Sequence, residues 1–363
     1  MNERFQWMLN WLESLPLLQG VQVSEPVPAS SDASFRRYFR IDVVSDPDAQ
    51  TPLDSSYIIM DAPPEQENCE PFIVVSNQLI EMGLQVPKVI EQNLAQGFLL
   101  LSDLGTVTYL SVLEGASETQ VDHLYQDALN ALVVLQTKGI GAAKQLPAYD
   151  AALLNREMDL FSDWLLGTHL EMPLNTLQKH DWQKVKQTLI ESALAQPKTY
   201  VHRDYHSRNL MVTEQNNPGV LDFQDAVYGP LTYDAVSLLR DCYIAWPIEQ
   251  VREWQRHYFL KLCEHKIMVK DEWQGFLKAM DLMGIQRHLK AAGIFARLYH
   301  RDGKEGYLND IPLTLNYIVQ VGANYPEMGW LVDIIENQVL SHKRLQLNRT
   351  AKENHVTQLK KTG

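Results

Sequence analysis

Residues 201–212 read VHRDYHSRNLMV and set His202, Asp204 and Asn209 inside a run whose two ends are apolar. A helix stripe repeats every three or four residues and a strand face every two. The spacing of these polar residues fits neither, so the run reads as strand, loop, strand with the polar groups carried by the loop. A further apolar run follows in GVLDFQDA (Gly219–Ala226), and Asp222 and Asp225 come at its end.

Residue type then narrows the chemistry. A hydroxyl acceptor needs a carboxylate to orient it and take its proton, whereas a nucleoside triphosphate needs a divalent cation held by oxygen donors. Asp204 suits the first task. Asn209 and Asp222 offer an amide oxygen and a carboxylate, the hard donors that magnesium prefers. Asp225 reads either as a ligand of a second ion or as a turn residue. Other phosphate-binding signatures are missing: no GxxxxGK[ST] run occurs, and GIGAAK at 139–144 lacks its third glycine and follows a helical pattern. Gly139 reads as a helix C-cap.

Composition sets the frame around this loop. At 363 residues and 45% hydrophobic content, the chain is long enough for two lobes with cores of their own. Its 45 acidic and 32 basic residues give a net charge of −13, which disfavours nucleic acid as a partner. Cys69, Cys242 and Cys263 are far apart with no CxxC, so neither a zinc site nor a disulfide framework is indicated, and a cytoplasmic location fits. No apolar run is long enough to span a bilayer, so no membrane partner is expected. The opening MNERFQWMLNWLESLP reads as an amphipathic helix through Phe5, Met8, Leu12 and Leu15, stopped by Pro16.

Five strand-like segments follow, VQVSEPV, FRRYFRIDVV, SYIIMD, PKVIEQ and GFLLLS, with one helix, EPFIVVSNQLIEMG, between the third and fourth and closed by Gly83. Helical spacing prevails from Asp103 onward. The division expected is a strand-rich lobe over 1–101, a helical lobe over 102–341, and a basic, solvated tail over 342–363. A helix near 281–301 has Leu282, Ile285, Leu289, Ala292, Ala296 and Tyr299 along a core stripe. Arg287, Lys290, Arg297 and Arg301 lie opposite, as a solvated face or as readers of a substrate carboxylate.

Taken together, HxDxxxxN, the aspartate after the next strand and the order of elements resemble the aminoglycoside phosphotransferase branch of the protein-kinase-like fold. SDASFRRYFR, MDAPPE, FLLLSDLG, HRDYHSRNLM, LDFQDA and RHLKAAGIFARLYHRDGK are similar to the anomeric amino-sugar kinases of bacterial cell-wall recycling. The resemblance implies a bilobal α+β fold with a small antiparallel-sheet lobe and a larger helical lobe, the first binding nucleotide and the second carrying catalysis and substrate. It implies a monomeric enzyme that uses ATP and Mg2+ to phosphorylate the C1 hydroxyl of N-acetylmuramate or N-acetylglucosamine. Carried over by position, it puts adenine at Ser102, Asp103 and Leu104 and the phosphates under the turn Ser31, Asp32, Ala33 and Ser34. His202 would brace the loop, His206 would lie near the transferred phosphate, and Asp234 would bind the loop backbone or cap its own helix.

Two departures matter. The turn has no glycine, and the third strand ends with Met60 and Asp61 where kinases keep a phosphate-gripping lysine. Arg36, on one strand face with Tyr38 and Arg40, reads either as the replacement that reaches the phosphates or as a solvent-facing arginine on an edge strand. Rival readings are a kinase of another small alcohol, of aminoglycoside, choline or homoserine type, and an inactive ATP-binding regulator.

Overall fold

A computed structural model of the protein describes residues 3–31, 35–44 and 53–345. Asp32, Ala33 and Ser34 of the expected phosphate turn lie outside the described residues, as do 346–363 of the expected tail. The chain forms two compact units, one of residues up to 107 together with 210–225, the other of 108–209 together with the residues from 226 onward. The segment after the polar loop thus returns to the first unit, which a cut at 101 does not capture.

In the first unit six antiparallel strands make one sheet: β1 (Gln22–Val23), β2 (Val27–Ser31), β3 (Arg37–Val44), β4 (Ser56–Asp61), β5 (Val89–Asn93) and β6 (Phe98–Ser102). The order is β1-β3-β4-β6-β5, with β2 also on β3. The single strand expected over VQVSEPV is two: β1 pairs with Val43 and Val44, and β2 with the Arg37–Arg40 end of β3. Pro26, between them, has no N–H to give a ladder. Alternation then decides the faces. Phe39, Ile41 and Val43 of β3, Tyr57 and Ile59 of β4, and Phe98 and Leu100 of β6 pack on Met8, Trp11 and Leu12 of helix α1 (Glu3–Ser14). Asp61 shares this parity and Met60 does not. Helix α2 (Glu70–Met82) ends at Gly83, whose φ of +88° is the left-handed conformation that glycine adopts without strain.

Four more strands flank the polar loop: β7 (Lys198–Val201), β8 (Leu210–Met211), β9 (Gly219–Val220) and β10 (Val227–Pro230). The β8–β9 pair belongs to the first unit, whereas β10, which the sequence reading leaves as loop, pairs antiparallel with β7 in the second. The second unit is otherwise helical: α3 (Tyr109–Leu113), α4 (Glu118–Lys138), α5 (Ile140–Ala143), α6 (Ala151–Leu160), α7 (Thr176–Leu194), α8 (Tyr233–Leu239), α9 (Ile248–Glu264), α10 (Trp273–Asp302), α11 (Ile311–Gly322) and α12 (Gly329–Ile334). Side-chain caps start several of them, since Ser117, Asp150 and Asn175 each accept the N–H three residues on. Among the described residues no helix is long and apolar enough to cross a membrane.

Helix α10 is the spine of this unit, and it overturns one expectation. Its expected charged, solvated side is buried through Gln286, Arg287, His288 and Lys290, because α6, α7, α8 and α11 pack around it. Arg301 alone of the expected set is exposed, paired with Asp302. The expected tail also starts late: Leu345 is buried, and Arg344 donates to the His169 carbonyl and, at 2.6 Å, to Glu171.

At Gly293 two helical backbones meet. A Cβ there would lie 2.3–2.5 Å from Leu160 C and O and Phe161 N, where α6 widens into the π-helical turn Phe161–His169. Helix propensity alone favours Gly293→Ala by about 1 kcal/mol. Backbone atoms cannot step aside as a flexible side chain can, so the substitution is expected to destabilise by about 1–3 kcal/mol, read as a lower urea midpoint. An unchanged or higher midpoint would show that the helices separate freely.

Candidate active site

The loop His202–Asn209 leaves β7 with its backbone donors unpaired, and buried carboxylates satisfy them. Asp234, fully buried in the first turn of α8, accepts from His202 N at 2.7 Å and Arg203 N at 2.9 Å. Thr232 occupies the N-cap position, so Asp234 serves the loop and not the cap. Burial pushes the Asp234 carboxyl up to about 7, against the two donors. Asp241 repeats the device just past α8, accepting from Ser207 N at 3.0 Å, Ser207 Oγ at 2.5 Å and Tyr243 N at 3.1 Å. The sequence reading missed Asp241. No local pattern marks it, since its partner is 34 residues away.

Within the loop the groups hold one another. His202 Nδ1 accepts from Asp204 N at 3.2 Å, and Asn209 Nδ2 donates to the Asp204 carbonyl at 2.9 Å. Arg203 has a φ of +80°, a left-handed conformation that a bulky residue adopts only when its surroundings enforce it. Its guanidinium donates to Glu157 Oε1 at 2.6 Å, and Lys290 Nζ, from α10, lies 3.4 Å from the same oxygen. Tyr149 donates to the other Glu157 oxygen, and Lys290 Nζ donates to Tyr233 Oη at 2.9 Å.

Two buried cations thus face one carboxylate, and Asp204 supplies the second negative charge. Burial works to raise the Asp204 carboxyl, but Lys290 foremost, then His206, Arg203 and His202, holds it below the ordinary carboxylate range. It is ionised at neutral pH. His206 is driven the other way: burial, with Arg287 and Arg208, lowers it despite Asp241 and Asp204, so its imidazole is neutral at pH 7. Arg287 is 6% exposed and donates to Cys242 Sγ at 3.4 Å, and Arg297 is half-buried. Glu157 and Lys290 are functional neighbours that sequence reasoning missed, the latter because it was assigned to a solvated face.

Past the loop, Leu210 pairs with Val220 and Met211 with Gly219, and Asp222 follows two residues after β9. Asp222 has a φ of +61° and its Oδ1 accepts from Gln224 Nε2 at 2.8 Å, while Asp225 is exposed. Among the described residues no three His, Cys, Asp or Glu side chains gather into a metal cluster. The candidate donors are instead one amide and two carboxylates.

In the first unit, Ser102 exchanges hydrogen bonds with Lys88 at 2.9 Å each. Asp103 is bound by Arg40 at 2.6 and 2.9 Å, by Ser56 Oγ at 2.8 Å and by Gly105 N at 2.9 Å. Arg40 is therefore committed to Asp103. Leu104 lies beside Gly219, where a Cβ would come within 2.9 Å of its Cδ1. Asp61, buried on the α1 side, takes Arg4 Nε at 2.6 Å and Arg37 Nε at 3.0 Å. Arg36 pairs with Glu67 at 2.8 Å, and the other oxygen of Glu67 accepts from Phe35 N at 3.3 Å.

Comparison with known proteins gives the family and the fold. Residues 25–270 match the phosphotransferase enzyme family. The N-acetylmuramate/N-acetylglucosamine kinase of Pseudomonas aeruginosa is 45% identical over 339 residues, 92% of this chain and 96% of that protein. Proteins of the same name from Pseudomonas putida (48% identical, 85% of this chain and 86% of that protein) and Neisseria meningitidis (42%, 85% and 88%) also match. Among solved structures, the gentamicin–APH(2")-IIa complex superposes with a TM-score of 0.56 at 14% identity, covering 87% of this chain and 96% of that one. The choline kinase LicA from Streptococcus pneumoniae gives 0.55 at 11%, covering 87% and 98%, and these two speak to the fold alone. By sequence match and by its loop, the chain belongs to the phosphotransferase enzyme family.

Proposed function

We propose that the chain transfers the γ-phosphate of ATP to the anomeric hydroxyl of N-acetylmuramate and N-acetylglucosamine. The activity named for its Pseudomonas and Neisseria relatives supports the acceptor. The observation that carries the chemistry is Asp204, ionised on a loop pinned by Asp234 and Asp241. Phosphoryl transfer is mostly positioning and charge neutralisation, so a carboxylate that orients the acceptor and takes its proton is sufficient. An anomeric hydroxyl is more acidic than an ordinary alcohol, which suits a base held below the usual carboxylate range.

His202 braces the loop, and His206, neutral, donates to or accepts from groups at the transferred phosphate. Arg287 has a supporting role, since its buried charge adds to burial in lowering His206. Arg297 and Arg301 are not carried into this reading, because the first is half-buried and the second is committed to Asp302 in solvent.

Asn209, Asp222 and Asp225 would hold magnesium. The donor set fits, being all oxygen, with the Asn209 nitrogen spent on the loop and the Asp222 carboxylate oriented by Gln224. When bound, the ion neutralises charge on the phosphates. On the nucleotide side, Ser102, Asp103 and Leu104 would border adenine. The turn Ser31–Ser34 would offer its backbone amides to the phosphates, with Arg36 the cation in place of the absent lysine. A binding-only regulator has no use for buried cations that keep Asp204 charged, and the enzyme reading is favoured.

Three outcomes test this. Incubation with ATP, magnesium and a sugar panel is expected to release ADP and place phosphate at C1 by NMR; phosphate at a 6-hydroxyl, or only on choline-like amines, would refute the acceptor. Asp204→Asn is expected to lower kcat by about 10²–10⁴-fold with the sugar KM near wild type. Arg36→Ala is expected to raise KM for ATP well above any change in sugar KM, with Arg36→Lys intermediate, and equal changes in both would remove Arg36 from the nucleotide site.

A further inference from the structure

One side chain of the loop stands apart. Between His202 and Asn209 every residue is buried or half-buried except Arg208, which is exposed. Its guanidinium carbon lies 3.7 Å from the centroid of the Tyr243 ring and 5.7 Å from that of Tyr307. Among the described residues Arg208 makes no ion pair, in a chain with 45 acidic residues against 32 basic. An exposed arginine in such a chain ordinarily finds a carboxylate; this one is held by aromatic faces.

The rings that hold it run back to the reaction centre. Tyr243 meets the His206 ring edge-on at 5.3 Å and Phe295 at 6.2 Å, and Phe295 stacks on Tyr307 at 5.7 Å. Tyr243 is itself fixed, since its N–H donates to the Asp241 that anchors Ser207. His206, Tyr243, Phe295 and Tyr307 therefore form one aromatic shelf in the second unit, starting beside Asp204 and carrying the Arg208 guanidinium over the Tyr243 ring. A guanidinium laid on a ring keeps its N–H edge directed outward and loses little freedom when a carboxylate binds, so the site is organised before the ligand arrives.

The proposed acceptors differ in charge: N-acetylmuramate carries a carboxylate, and N-acetylglucosamine has none. Arg287 is enclosed and already donates to Cys242, so it is poorly placed to meet a bulky anion. We propose that Arg208, fixed on Tyr243, reads the carboxylate of the acid-bearing acceptor. This rests on the amino-sugar kinase reading and names the residue that distinguishes its two substrates.

The test is a ratio, which makes the uncharged sugar the control for folding. With ATP saturating, kcat/KM is measured on both sugars for the wild type, Arg208→Ala, Arg208→Lys and Tyr243→Leu. Arg208→Ala is expected to lower N-acetylmuramate turnover at least tenfold relative to N-acetylglucosamine, mainly through KM. Arg208→Lys should recover part of that loss, and Tyr243→Leu, which frees the guanidinium without removing it, should shift the ratio the same way by less. Equal losses on the two sugars, or a rise confined to KM for ATP, would overturn the proposal and assign Arg208 to the nucleotide. Should Arg208→Ala lose all turnover, the Tyr243→Leu ratio decides. A wild type that phosphorylates neither sugar defeats the amino-sugar reading itself, an outcome separate from an active wild type whose ratio does not move.

Discussion

The buried carboxylate of Asp234 is the contact on which the catalytic loop depends. Two consecutive backbone donors, His202 N and Arg203 N, converge on it, and they can do so only because Arg203 is turned to a φ of +80°. A left-handed arginine costs on the order of 1–3 kcal/mol, so the conformation persists because its surroundings over-determine it. Above the turn is the ion pair to Glu157; below it is Asp234 in the first turn of α8, where the helix dipole also favours a negative charge. The kink aims the next residue, Asp204. Asp241, just past α8, holds the loop at Ser207, so carboxylates from the start and the far side of one short helix anchor the loop on both sides of Asp204.

The same loop shows how a chain keeps a carboxylate charged while burying it. Desolvation alone would push the Asp204 carboxyl up, and a single compensating cation would leave the site dependent on one contact. Here the charge is shared. Arg203 and Lys290 face Glu157 and Asp204 in turn, and Tyr149 and Tyr233 occupy oxygens and protons that would otherwise be unpaired. The arrangement needs α10 at the back of the loop, which explains why a 30-residue helix carries Gln286, Arg287, His288 and Lys290 in its interior.

That burial also marks the limit of what the sequence discloses. The strands around VHRDYHSRNLMV, the aspartate after the next strand, the antiparallel order of the first unit and the Gly83 stop are legible because they are local: each is a matter of alternation, loop chemistry or a single φ. Lys290 is not, since periodicity sorts polar from apolar residues but cannot tell whether a charge meets water or Glu157. Asp241 is illegible for the same reason, and Asp234 reads as a cap or an anchor until its partners are seen. Strand β10 escapes because VYGP contains a glycine and a proline, and its pairing with β7 is a tertiary fact.

Alternation also accounts for the faces of Met60 and Asp61. Asp61 has the parity of Tyr57 and Ile59, so it belongs to the α1 side of the sheet, where Arg4 and Arg37 neutralise it. Met60, fully buried, takes the other face. Neither residue leaves a cation on that face of β4. Arg36 has the parity of Tyr38 and Arg40, the latter consumed by Asp103, and its partner Glu67 precedes α2. Glu67 spends one oxygen on the Arg36 guanidinium and the other on Phe35 N, so a single carboxylate orders both the cation and the backbone at Phe35. Kinases hold their phosphate-binding lysine by a helix-borne glutamate. Arg36 and Glu67 repeat that pairing of a cation with an acid, with the cation just ahead of β3 and not on β4.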